Sequence, residues 1–261
     1  VATAQQTLTE DNPQAQINSP KLFKLKDRFP VAIDLEASDI RTICHRRLLA
    51  KSPSAREELG KLFDQYGQRI IHATKLTQTK VVTSSLDRES FIDLYPFLPQ
   101  HLDLLLILLG RLAKTSGGVG LRSAIKVVQD VLIDSGIPGV APLADAPVSK
   151  LANAVIFYDC LRKDIQRSFP HVVQGVEKAI TAFGPDSMPS RLAKAIGVLQ
   201  SIEDFPLTAE NAAALMLSSV DSEPLFDLVR QAAKELLDEP LVPLAEVDGR
   251  LRFMSPVVDD L

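Results

Sequence analysis

The 261-residue sequence predicts a mainly α-helical protein, opened by two short strands and closed by a β-hairpin. Three observations carry that reading. Apolar residues recur at i, i+3, i+4 and i+7 through much of the chain, the period of a helix with one buried face. Most of the seventeen prolines fall between those stretches, where they punctuate helices. Near the C-terminus, Asp248-Gly249 separates two alternating runs, the strongest short-range hairpin signal.

The elements follow in order. An apolar strand ends at Thr3-Ala4-Gln5-Gln6, and a polar loop leads to Arg28-Phe29 and a second strand, Val31 to Leu35. Ser38 or Asp39 can cap a helix that turns Ile40, Ile43, Cys44 and Leu48 inward. Ser54-x-x-Glu57 reads as a capping box ahead of the stripe Leu59, Leu62, Phe63, Tyr66. Residues 75–88 are polar and read as a loop. Tyr95-Pro96-Phe97 reads as aromatic packing at a helix entrance, and Pro99 suits the first turn of a helix running to about Ala113. That helix is leucine-rich enough to be buried nearly all round. Residues 115–120 make a break, and Leu121, Ala124, Ile125, Val128, Val131 and Leu132 form the next stripe.

Residues 138–148 read as a linker. Helices over about 148–168 and 171–183 form a hairpin around Ser168-Phe169-Pro170. The last seventy residues predict a helix carrying Leu192 to Ile202, a short helix over 209–218 capped by Thr208, and a third opened by Ser222 and Pro224. The third carries Leu225, Leu228, Val229, Ala232 and Leu236 inward. Strands over 241–246 and 250–254 close the chain. Helix, helix, helix, hairpin is the layout of a winged-helix domain.

Composition narrows the function. The hydrophobic share is 46% and the charged share 24%, as in ordinary globular proteins. Cys44 and Cys160 are far apart in helical patterns, which predicts neither a disulfide framework nor a zinc site and points to a reducing, cytoplasmic setting. The longest apolar run, Leu104 to Leu109, is far short of the roughly 20 residues of a membrane span, so no membrane role is expected. Val1 in place of an initiator Met suggests a fragment or a processed chain. Residues 1–140 carry 18 Lys+Arg against 15 Asp+Glu, whereas residues 191–261 carry 6 against 13. An acidic C-terminal part is a poor start for holding phosphate backbones.

No G-x-x-x-x-G-K-[ST] appears, and Gly117-Gly118-Val119-Gly120 lacks the lysine that would follow. H-E-x-x-H, C-x-x-C and G-x-S-x-G are absent as well. His45, His72, His101 and His171 are scattered and read as surface residues. A self-contained active site is therefore not expected. Three places still carry chemistry. Arg28, after a lysine-rich loop, could reach a neighbouring subunit's γ-phosphate and stabilise transition-state charge, or simply flank Phe29 at the surface. Arg122, opening a helix after glycines, could lean over a nucleotide, or be solvated in a first turn. Gln5, or Thr3, could present a polar group to an attacking water from a strand end, or be an ordinary loop residue.

The succession VATAQQ, KDRFPVAIDLEASDIRTICHRRL and GGVGLRSAIKVVQDVL resembles AAA+ ATPases of the origin-recognition and STAND-like branch. The resemblance implies sensor-1 candidates in Gln5 or Thr3, an arginine finger in Arg28 and a sensor-2 arginine in Arg122. More narrowly, YPFLPQHLDLLLILL with the lid helices and the terminal winged helix is similar to the large ATPases of BREX-type phage-defence systems. It implies the tail of an α/β core over 1–36, a helical lid over 37–140, a helical linker over 141–188 and a winged helix over 189–261. ATP and Mg would serve the full-length parent, with none expected on this stretch alone. Implied partners are the N-terminal ATPase half or neighbouring subunits, other proteins through the acidic winged helix, and DNA for the parent complex. The competing reading is a non-enzymatic module that docks a partner protein.

Overall fold

The structure, a computed structural model, describes residues 42–80, 82, 85–116, 121–133 and 142–255. The two opening strands and the cap at Ser38 or Asp39 lie outside those residues. A π-helical turn, Cys44–Leu48, leads to α1 (Pro53–Ala73), α2 (Arg88–Leu94) and α3 (Pro99–Ser116). Then come α4 (Leu121–Leu132), α5 (Ala154–Ser168) and α6 (Pro170–Phe183). The chain continues through α7 (Met188–Leu199), α8 (Ala209–Met216) and α9 (Phe226–Asp238). A hairpin of β1 (Leu244–Val247) and β2 (Arg250–Phe253) follows. The described part is thus mainly α, as the helical periodicity predicts.

The core is built around α7. Its Leu192, Ala195, Ile196 and Leu199 are buried, and so are Ala193, Gly197 and Val198 on the other side. A helix apolar on most of its faces belongs inside a fold, and α5, α6, α8, α9 and the hairpin pack about this one. A Cβ on Gly197 would stand 3.0 Å from the Tyr158 ring and 3.2 Å from Val176, so α5 and α6 approach α7 closely there. Lys194 of α7 and Asp159 of α5 add an ion pair at 2.9 Å, each side chain only 18% exposed.

A second apolar cluster joins Leu59 and Ile70 of α1, Phe91 of α2 and Leu98 to Leu151, Leu217 and Val220. Polar clips tie the irregular segments to it. Asn211, fully buried, accepts from Thr77 N–H at 2.9 Å and donates to the carbonyls of Thr77 and Pro206. Gln100 donates to the Thr74 carbonyl. Each buried amide therefore finds partners, as it must to avoid an uncompensated desolvation cost.

At the hairpin, Asp248 (φ 53°) and Gly249 (φ 72°) both adopt left-handed backbone, the requirement of a type I′ turn and the reason the Asp-Gly signal works. Leu244 and Leu251 face inward with Phe253, whereas Arg250 and Arg252 alternate outward. Phe253 lies over Gly175 of α6, whose missing side chain makes room for the ring. Gln200, just after α7, receives the Phe253 N–H at 2.7 Å and donates to its carbonyl at 3.0 Å. Leu251 N–H donates to the Leu207 carbonyl at 2.8 Å, so the segment before α8 lines up beside β2.

Several boundaries differ from expectation. Ser52, not Ser54, caps α1, accepting from Ala55 N–H, because Pro53 starts the helix with a preset φ and no N–H to satisfy. Asp87 and Ser90 form a reciprocal capping box for α2 instead. α5 starts at Ala154, capped by Asn153, because residues 149–151 pair with Ser218–Val220. α9 starts at Phe226, later than Ser222 or Pro224, and its buried face is Val229, Ala232, Ala233 and Leu236. That rotation leaves Leu228 58% exposed, against the inward position predicted for it. Ile202 is buried but lies beyond the end of α7. Gly175→Ala is expected to cost about 1–3 kcal/mol by overpacking against Phe253. In a Phe253→Leu background the cost should shrink; equal costs in both backgrounds by urea denaturation would refute that contact as the cause.

Candidate functional site

Of the residues the sequence singles out, Thr3, Gln5 and Arg28 lie outside the described residues. Arg122 falls in the first turn of α4, as predicted, with its side chain outside them too. The four positions are therefore not brought together within the described part. His101 is a correction. It is 1% exposed rather than on the surface, because α3 is buried on nearly every face at its N-terminal half. Leu98 N–H donates to His101 Nδ1 at 3.4 Å, which places the ring proton on Nε2. Nε2 finds no hydrogen-bond partner among the described residues. The ring stands edge-on to Phe157 at 6.3 Å and borders a void of about 10 Å³ lined by Leu104, Leu105 and Leu108. Burial pushes its pKa down to about 3. It is a core histidine held neutral.

His45, half-buried, lies 3.4 Å from Asp93. His72 stands edge-on to Phe226. Tyr95 packs on Phe91, with its hydroxyl pushed by burial up to about 12, and Phe97 stacks on Phe157. These aromatics pack, as expected. Among the described residues no group of three or more His, Cys, Asp or Glu is placed to hold a metal ion. No single helix there is long and apolar enough to cross a membrane. α2 and α3 pass that test only as a pair bent by 53°.

A polar groove of about 730 Å³ lies between the hairpin tip, the turn after α7 and the C-terminal half of α3. Three elements converge on it. The hairpin alternation delivers Arg250 and Arg252 from the outward face of β2. The turn after α7 delivers Glu203 and Asp204, the latter with left-handed backbone at φ 58°. α3 delivers Arg111, which is ion-paired with Glu203 across the groove. Asp248 at the hairpin turn completes a lining of three arginines and three carboxylates. Arg250 and Arg252 have no ion-pair partner among the described residues. The lining thus carries charges of both signs in equal number. The alternation Arg250-Leu251-Arg252-Phe253 is the sequence signal for this face. Its other wall cannot be read from local pattern, because Arg111 is distant in the chain.

No protein-family model matches the chain, and no solved structure matches it. His101→Phe should remove an acid-sensitive contribution to stability. Free histidine near 6.5 takes a proton in the unfolded chain before the buried ring does, so this contribution is fully present above pH 6.5 and drains as pH falls toward 3. Between pH 7.5 and pH 5 the wild type should lose about 2 kcal/mol more than the variant. Parallel stability-versus-pH curves from denaturant unfolding would refute it.

Proposed function

We propose that this chain is the responding part of an AAA+-like ATPase, a helical lid followed by a winged helix, which senses nucleotide and passes the signal to a partner. The observation that carries the reading is the hydrogen bond from Leu251 N–H to the Leu207 carbonyl. It ties the segment between the first two of three helices to the hairpin, as a winged helix would require. The helices α1 to α4 ahead of it would be the lid, and Arg122, in the first turn of α4, is its sensor-2 candidate. Arg28 is the arginine finger, Gln5 or Thr3 the sensor-1 group, and the ATP and Mg they act on are held by parts outside this stretch. In a full-length parent, Arg28→Ala should abolish ATP turnover while sparing nucleotide binding. Unchanged turnover would remove the finger assignment.

A specific observation favours protein rather than DNA as the target of the winged helix, the reading shared with a non-enzymatic interaction module. On α9, Arg230 is taken up by Asp227 at 2.9 Å and Glu210 at 3.2 Å, and Gln231 by Glu235. A major-groove reader needs its cations and amides free for bases and phosphates. Duplex DNA titrated into the 261-residue chain at 50 and 200 mM salt should show no salt-dependent binding that Arg230→Ala with Lys234→Ala removes. A steep salt slope abolished by that pair would overturn the protein-contact reading.

A further inference from the structure

The junction of the π-helical turn, the start of α1 and the end of α2 gathers cations around one short helix. Lys51, half-buried just before the Ser52 cap, donates from Nζ to the Asp93 carbonyl oxygen at 2.8 Å. The Asp93 carboxylate is already engaged. Arg56 Nη1 lies 2.6 Å from its Oδ1, and His45 Nε2 lies 3.4 Å away. The other terminal nitrogen of Arg56 bonds Glu89 at 3.1 Å. Arg46 and Arg47 are exposed on the same turn as His45. Lys51 therefore sits beside a carboxylate that other cations neutralise, with a single uncharged acceptor of its own.

The ammonium of Lys51 is less favoured here than on an exposed lysine, so a larger share is neutral near pH 7.5. One N–H goes to the Asp93 carbonyl. The guanidinium of Arg56, the nearest fixed cation, is turned to Asp93 and Glu89. Burial and the Arg56 charge lower the Lys51 pKa to about 8, and Asp93 offsets this only in part. Lys61 is the contrast: exposed, paired with Glu57 at 2.7 Å and shifted upward by that partner. A lysine relieved of its proton by a desolvated site beside another cation is an activated nucleophile.

We propose that Lys51 is a modification site, acylated by a small acyl phosphate. The Nζ lone pair attacks the acyl carbon and a C–N bond forms. The C–O bond to phosphate breaks, phosphate leaves with the electron pair, and it takes up the amine proton. No oxidant or reductant is needed. Arg46, Arg47 and Arg56 favour an anionic donor over a neutral one. The amide product keeps one N–H for the Asp93 carbonyl and loses the charge, so the end of α2 stays capped while the cationic cluster weakens.

The test is acetyl phosphate added to the 261-residue chain at pH 7.5, read peptide by peptide by mass spectrometry with Lys61 as reference. Lys51 should be acetylated on the order of tenfold faster than Lys61, with a rate that levels off above about pH 8. Lys51→Arg should remove that modification and leave the Lys61 rate unchanged. A Lys51 rate at or below that of Lys61 would overturn the proposal. With acetyl N-hydroxysuccinimide, an uncharged donor, the advantage of Lys51 should narrow. An equal or larger advantage with that reagent would overturn the choice of an anionic donor.

Discussion

The close approach at Gly197 is the constraint on which the rest of the molecule depends. With no side chain there, Tyr158 of α5 and Val176 of α6 close onto α7 at van der Waals distance, leaving no room for a larger residue without displacement. The consequence is a helix buried on most sides, and a helix so placed must satisfy most of its polar groups internally. Ser190 does so by donating to the Ala179 carbonyl, and Lys194 by pairing with Asp159. Once α7 is central, its two ends set where the other elements can dock.

Its C-terminal end sets the groove. Gln200 follows directly and reads the Phe253 peptide group as a neighbouring strand would, through both its carbonyl and its amide nitrogen. Phe253 then drops into the space left by Gly175, and Leu251 takes the Leu207 carbonyl. Three anchors on one strand orient β2, so Arg250 and Arg252 face the turn carrying Glu203 and Asp204. The charged groove is thus a product of core packing. Its arginines point outward because the alternate positions on β2 are committed inward.

Much of this was legible in the chain. The stripes Leu59–Tyr66 and Leu121–Leu132 are helices because a period of 3.6 places their apolar residues on one face. The hairpin is where Asp248-Gly249 puts it because both residues tolerate left-handed backbone. The misreadings share a cause. Ser54-x-x-Glu57 has the composition of a cap, yet Pro53 starts the helix earlier. Leu228 looks like a core residue, yet the neighbours of α9 select a face that omits it. His101 looks like a surface histidine, yet α3 is enclosed. In each case a neighbour remote in sequence decides among locally acceptable options.

By itself, then, the sequence determined most of the helices among the described residues and the hairpin turn, since these follow from backbone period and residue conformational preference over a few positions. The tertiary structure alone decided the burial of His101, the bringing of Arg111 to the hairpin, and the meeting of Lys51 with the Asp93 carbonyl. Those outcomes depend on distances between residues far apart in the chain, and local periodicity carries no information about such distances.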